Sequence, residues 1–175
     1  MSRAKNIAVE VIQFAPILTL ASTFVVSGEV DLERAATLFV VAAAEAVVIT
    51  GLLAALRQPL NPILLGTNLW LILGALAFGL SIEPLAALVS RTRAVGLFAC
   101  ALVVGVLLTA FAPRGYVGAE LRDPAIQRRA SVLLLVLTAI VLVWSAAFVD
   151  NIRLGGGLPF IALNVSRRIL ARRLR

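Results

Sequence analysis

Glu45 is the residue whose type and position most suggest chemistry. It lies in Val41-Ala42-Ala43-Ala44-Glu45-Ala46-Val47-Val48, a stretch with no other polar side chain. A carboxylate in the middle of a membrane costs on the order of 2.5–3.5 kcal/mol on insertion scales. Either the group is neutral there, or it faces a polar partner inside the protein. Asn68 and Thr67 are the partners that spacing offers. Glu45 lies 13 residues before Gln58 and Asn68 ten after it. If Gln58 marks a turn between two helices, their depths differ by roughly 4–5 Å at about 1.5 Å per residue, a gap that a glutamate side chain covers. The expectation is a hydrogen-bonded intramembrane site of Glu45, Asn68 and Thr67. It reads in two ways: as glue between helices, worth on average about 0.6 kcal/mol per contact, or as a proton or substrate site.

Other chemistry is poorly supplied. The chain has no His and one Cys, too few soft ligands for a zinc or haem site. The same scarcity excludes a Cys-His nucleophile and a Ser-His-Asp triad. Cys100, in a run of Ala, Val, Leu and Gly, reads as a small hydrophobe. Gly155-Gly156-Gly157 lacks the Lys-Ser/Thr that would follow in a phosphate loop and reads as a flexible hinge. Asp31/Glu33 and Glu120/Asp123 read as solvated loop charges. No enzyme activity, cofactor or metal is expected.

The elements that must position Glu45 follow from composition. Of 175 residues, 61% are hydrophobic and 14% charged, and the mean hydropathy is +1.03. Ordinary globular domains run about 45–50% apolar and about 25% charged, so this chain has too little polar surface to wrap a soluble core. It reads as an all-α integral membrane protein. A crossing needs about 20 apolar residues, and five stretches qualify: 11–27, 32–56, 61–81, 94–112 and 130–149. The first follows Arg3 and Lys5 as a secretory signal would, but reads as a retained helix kinked at Pro16. Arg57-Gln58-Pro59 makes a tight turn, Pro62 suits a first helical turn, and 85–89 is a short interfacial connection. Small residues recur as Ala42/Ala46, Ala75/Gly79 and Ala101/Gly105, spacings that let helices approach closely. Trp70 reads as packing and Trp144 as part of an aromatic belt. With no linker visible, residues 1–175 read as one membrane domain, a five-helix bundle with an added tail.

The tail, 158–175, reads as an amphipathic helix. Leu163, Ile169, Leu170 and Leu174 are placed on one side and Arg167, Arg168, Arg172 and Arg175 on the other, with Arg173 off the pattern. These five arginines are expected to contact lipid headgroups. The alternative is a half-span over 155–165.

The net charge is +7. The basic residues sit between and after apolar stretches, so they point to lipids and orientation rather than nucleic acid. A cytoplasmic N-terminus puts the Arg57 turn and the 114–129 loop inside and the acidic 28–33 loop outside. Arg91, Arg93 and the tail then fall outside, against the positive-inside rule, unless the tail re-enters the membrane.

Phe14-Ala15-Pro16-Ile17, Asp31 with Ala35-Ala36-Thr37, and Pro124-Ala125-Ile126-Gln127-Arg128 carry a resemblance. With the plan of spans, they make the chain similar to the intracellular septation protein A family of small bacterial inner-membrane proteins. The resemblance implies a role in envelope upkeep or septum formation through contacts with other membrane proteins, with no known enzymatic activity. The expected partners are membrane lipids and other membrane proteins or a second copy. The alternative is a small transporter or channel using Glu45, Asn68 and Thr67.

Overall fold

A computed structural model describes residues 3–26, 32–119 and 123–173; among these every regular element is helical. The chain divides into two compact units, Met1–Arg91 and Thr92–Arg175. The boundary falls in the last turn of a helix, with no linker. Among the described residues, four helices are long and apolar enough to cross a membrane.

The first unit contains α1 (Arg3–Ile12), α2 (Ala15–Val26), α3 (Leu32–Ala55), α4 (Pro62–Gly79) and α5 (Glu83–Thr92). Helices α3 and α4 form a hairpin. Its turn passes through Arg57 at φ 52° and ends at Asn61, whose side chain accepts the Ile63 N–H to cap α4. Pro62 follows in the first turn, where no N–H is needed. Lipid removes most of the hydrophobic incentive for helices to associate, so close packing decides. Ala42, Ala43 and Ala46 of α3 are buried, and the Phe39 ring lies over Gly74, where a Cβ would run into it. In α4 half of the apolar stretch is buried, against 28% in α3, so α4 is the more enclosed of the pair. Ala75 is half-buried and Gly79 exposed; Gly74 and Ala77 take the close-packing role expected of them.

The first expected span is not one helix. Helix α1 stops at Ile12, Gln13 and Phe14 turn, and α2 then runs for twelve residues. Its described part is roughly 18 Å long. The break comes before Pro16 rather than at it. A proline ring clashes with the carbonyl four residues back, here Ile12, and α1 ends there. Segment 85–89 lies within α5, a ten-residue helix, too short to span.

The second unit contains α6 (Ala94–Phe111), α7 (Pro124–Ala147), a π-helical turn (Ile152–Gly157) and α8 (Leu158–Arg173). Helix α7 starts six residues before the expected 130, because Asp123 Oδ1 accepts the Ala125 N–H at 2.8 Å and Pro124 opens the helix. At the opposite end of this hairpin, Arg93 pairs with Asp150 at 3.1 Å. The triglycine is not a loose hinge. A Cβ on Gly155 would strike the Phe148 carbonyl, and one on Gly156 would sit 3.2 Å from Ala94 Cβ. Glycine here permits close approach. From this turn α8 runs back beside α7 until Ala171 joins Val117, Ala119 and Ala130 in a buried cluster. The tail therefore returns to the end of the unit that carries the arginine-rich loop.

Candidate functional site

Glu45 is half-buried on α3. Its partner comes from α2: Thr19 Oγ1 donates to Glu45 Oε2 at 2.8 Å. Asn68 Nδ2 donates instead to Thr50 Oγ1 at 3.0 Å, and Thr67 Oγ1 donates to the Ile63 carbonyl of its own helix at 3.1 Å. The expected three-residue site is thus not formed; its members are held separately. The cause is register. Depth has to be counted from the helix ends, because residues 56–61 form the turn and add none. Thr50 lies five residues before Ala55 and Asn68 six after Pro62, so both sit roughly 7–9 Å in. Glu45 lies about 15 Å in, and points about 140° away from Thr50 around α3. Its side of the helix meets α2.

A second polar cluster closes the break between α1 and α2. Gln13 is 7% exposed. Its Nε2 donates to the Val9 carbonyl at 3.0 Å and to the Pro59 carbonyl at 3.3 Å, and its Oε1 accepts the Asn61 N–H at 2.7 Å. One amide thus satisfies a carbonyl freed by the end of α1 and ties the break to the α3–α4 turn.

The arginines of the tail do not share one outward face. Arg167 is half-buried, and its Nη1 donates to the Val117 carbonyl at 3.4 Å. Leu163 is 1% exposed but Ile169 is 47% exposed. Residues 163, 167 and 171 recur every four positions and line the inner face; Ile169 is about 120° from Leu163 and belongs to another. Arg168 and Arg172 are exposed, as headgroup contact requires. The Arg173 side chain and Arg175 lie outside the described residues. The inward turn of Arg167 brings its charge towards Tyr116, which is fully buried. Tyr116 N–H donates to Ser131 Oγ at 3.1 Å, and its hydroxyl lies 3.3 Å from Thr138 Oγ1. Burial pushes the Tyr116 hydroxyl up to about 12, against the opposing pull of Thr138 and of the Arg167 charge.

Chemically, these are contacts that tie segments close in space, apart from Thr67, which bonds within its own helix. No group of three or more His, Cys, Asp or Glu that could hold a metal occurs among the described residues. Trp70 is packed inside the first unit; Trp144 is 46% exposed and donates its indole N–H to the Leu154 carbonyl at 3.0 Å. Thr19, Thr50 and Gln13 were not marked out by the sequence. Gln13 carries the one available signal, an amide between Ile12 and Phe14 just ahead of a proline. The chain matches no known protein family, no curated protein and no solved structure, so the septation-protein resemblance rests on the short blocks quoted above.

Proposed function

We propose that the chain is a non-catalytic multi-pass membrane protein, a scaffold or accessory subunit of a membrane or cell-envelope assembly in the bacterial inner membrane, like the septation family it resembles. The observation that carries this reading is how its interior polar groups are used. Thr19 with Glu45, Thr50 with Asn68, and Tyr116 with Thr138 and Ser131 each join neighbouring segments. Such contacts stiffen a frame. In α3, α6 and α7 only 28% of the apolar stretch is buried, which leaves long flanks for lipid, partner helices or a second copy.

The orientation that fits is a cytoplasmic N-terminus, with the expected first span, 11–27, as a fifth crossing. The Arg57 turn and the 112–123 loop then face the cytoplasm, and α8 carries its arginines back to that side. Arg93, on the outer side, is neutralised by Asp150. Arg34, Arg91 and Arg153 then run against the positive-inside rule. Mild extraction followed by crosslinking tests the role. A stable partner or oligomer is expected, and a clean monomer with no crosslinked neighbour would overturn it.

One observation favours the alternative of a small transporter or channel: Glu45 is half-exposed rather than sealed. Solute or proton flux in liposomes that disappears in Glu45→Gln would replace the scaffold reading; flux-free liposomes would remove the alternative.

A further inference from the structure

A cavity of about 350 Å³ opens where α6 ends and α7 begins. That volume is in the range of small-ligand sites. Because both helices are long enough to cross a membrane, their shared end lies at the level of lipid headgroups. Its frame is fixed by hydrogen bonds. Gln127 Nε2 donates to the Pro113 carbonyl at 2.6 Å, and Ser131 Oγ takes the Tyr116 N–H at 3.1 Å. Gly115 holds a left-handed turn at φ 55° against the Ser131 hydroxyl, with no space for a Cβ.

The polar groups in the wall are unevenly matched. The cation is Arg128, exposed and with no hydrogen-bonded or ionic partner among the described residues. Beside it stand oxygens whose own protons or lone pairs are only partly used. Thr109 donates its proton to the Gly105 carbonyl at 2.7 Å, so its oxygen is left to accept. The exposed Pro113 carbonyl accepts one bond and has a lone pair left, whereas Ser131 is fully enclosed and serves the frame. The Asp123 carboxylate, next along the chain, is held on the Ala125 N–H. A ligand that fits presents an anionic oxygen to the guanidinium and hydroxyl donors to the acceptors. A guanidinium binds two phosphate oxygens at once.

We propose that this cavity binds the headgroup of a phosphatidylglycerol-type anionic lipid, its phosphate on Arg128 and its glycerol hydroxyls on Thr109 and the Pro113 carbonyl. The acyl chains then lie against the apolar flanks of α6 and α7. A choline headgroup brings the phosphate but no hydroxyl donor, and sets a cation of its own against the acceptors. The site rests on the membrane placement of these helices and not on the scaffold role.

The test uses the full chain in a mild nonionic detergent, with phosphatidylglycerol, phosphatidylcholine or free glycerol 3-phosphate added. Bound lipid is counted by native mass spectrometry, and the thermal midpoint is followed. Phosphatidylglycerol is expected to bind one to one and raise the midpoint, with phosphatidylcholine inactive. Arg128→Gln should weaken binding about tenfold, the loss of one charge-assisted bond, while Arg168→Gln/Arg172→Gln should retain it. Ala112→Phe, which fills the cavity and leaves Arg128 intact, should abolish binding with the lipid-free midpoint unchanged. Undiminished binding by Arg128→Gln or Ala112→Phe, or loss that follows Arg168 and Arg172, would overturn the site. Saturation by glycerol 3-phosphate at the same concentration as the lipid would overturn the membrane source of the ligand.

Discussion

The first unit breaks a helix at Gln13-Phe14, and the second breaks one after Ala147; the two breaks are sealed by opposite means. At the first, the amide of Gln13 reaches Pro59 and Asn61, 46 and 48 residues away. At the second, the backbone groups are sealed locally, and one exposed ion pair, Arg93 to Asp150, comes from farther along the chain. Asn151 Oδ1 accepts the N–H groups of Arg153 and Leu154, its carbonyl accepts the Gly155 N–H at 2.7 Å, and Trp144 reaches the Leu154 carbonyl ten residues on. A distant seal makes the break part of the tertiary structure, so it fails when a hydrogen bond is lost. A local seal forms from its own residues and asks only for space, so it fails when that space is filled.

Filling the space is expected to have the largest effect. Gly155→Val drives a side chain into the Phe148 backbone, which has no rotamer to give, and should cost about 3 kcal/mol or more. Thermal unfolding in detergent, with proteolysis of the tail, reads it; an unchanged midpoint would mean the π turn does not depend on that approach.

Next comes an alkaline transition confined to the second unit. Tyr116 is the only tyrosine, so phenolate absorbance follows it directly. Its folded value, about 12, lies above the ordinary 10, and the neutral phenol is the form the fold favours. The contribution is whole below pH 10 and lost as pH rises from 10 through 12, amounting to about 2–3 kcal/mol. Tyr116→Phe should remove that dependence, and a titration midpoint near 10 would show an open site.

The seals themselves separate in size. Gln13→Leu leaves the buried Asn61 N–H and Pro59 carbonyl without this partner and should cost about 2 kcal/mol. Asn151→Ala, at an exposed turn that water can reach, should cost about 1 kcal/mol. Equal losses in chemical denaturation would erase the distinction between the two breaks. The smallest effect belongs to Thr19 and Glu45. A double-mutant cycle with Thr19→Val and Glu45→Gln should give a coupling near 0.6 kcal/mol, the mean for contacts of this kind in membranes. A coupling several times larger would mark the pair as more than glue.

The long apolar helices were legible because hydropathy and prolines are local signals. Pro62 opens α4 where expected, and α6 stops at Phe111, just before Pro113. The partners of the polar residues were less so. Gln13 and Arg167 bind backbone carbonyls, and any residue can supply a carbonyl, so no residue type marks the other end of the contact. The register of Glu45 failed for a different reason: counting from Gln58 treated a six-residue turn as a point. The triglycine was ambiguous in principle. The missing Cβ serves a hinge and a tight approach equally, and only the neighbour decides.

The Gln13 contact also bears on how the protein inserts. The residues it grips are synthesised long after it. Until the α3–α4 turn exists, the Gln13 amide lacks its Pro59 and Asn61 partners, and only its local bond to Val9 can form. The order of synthesis is therefore not the order in which these contacts can close. The earliest break gains its distant seal only from a hairpin made later.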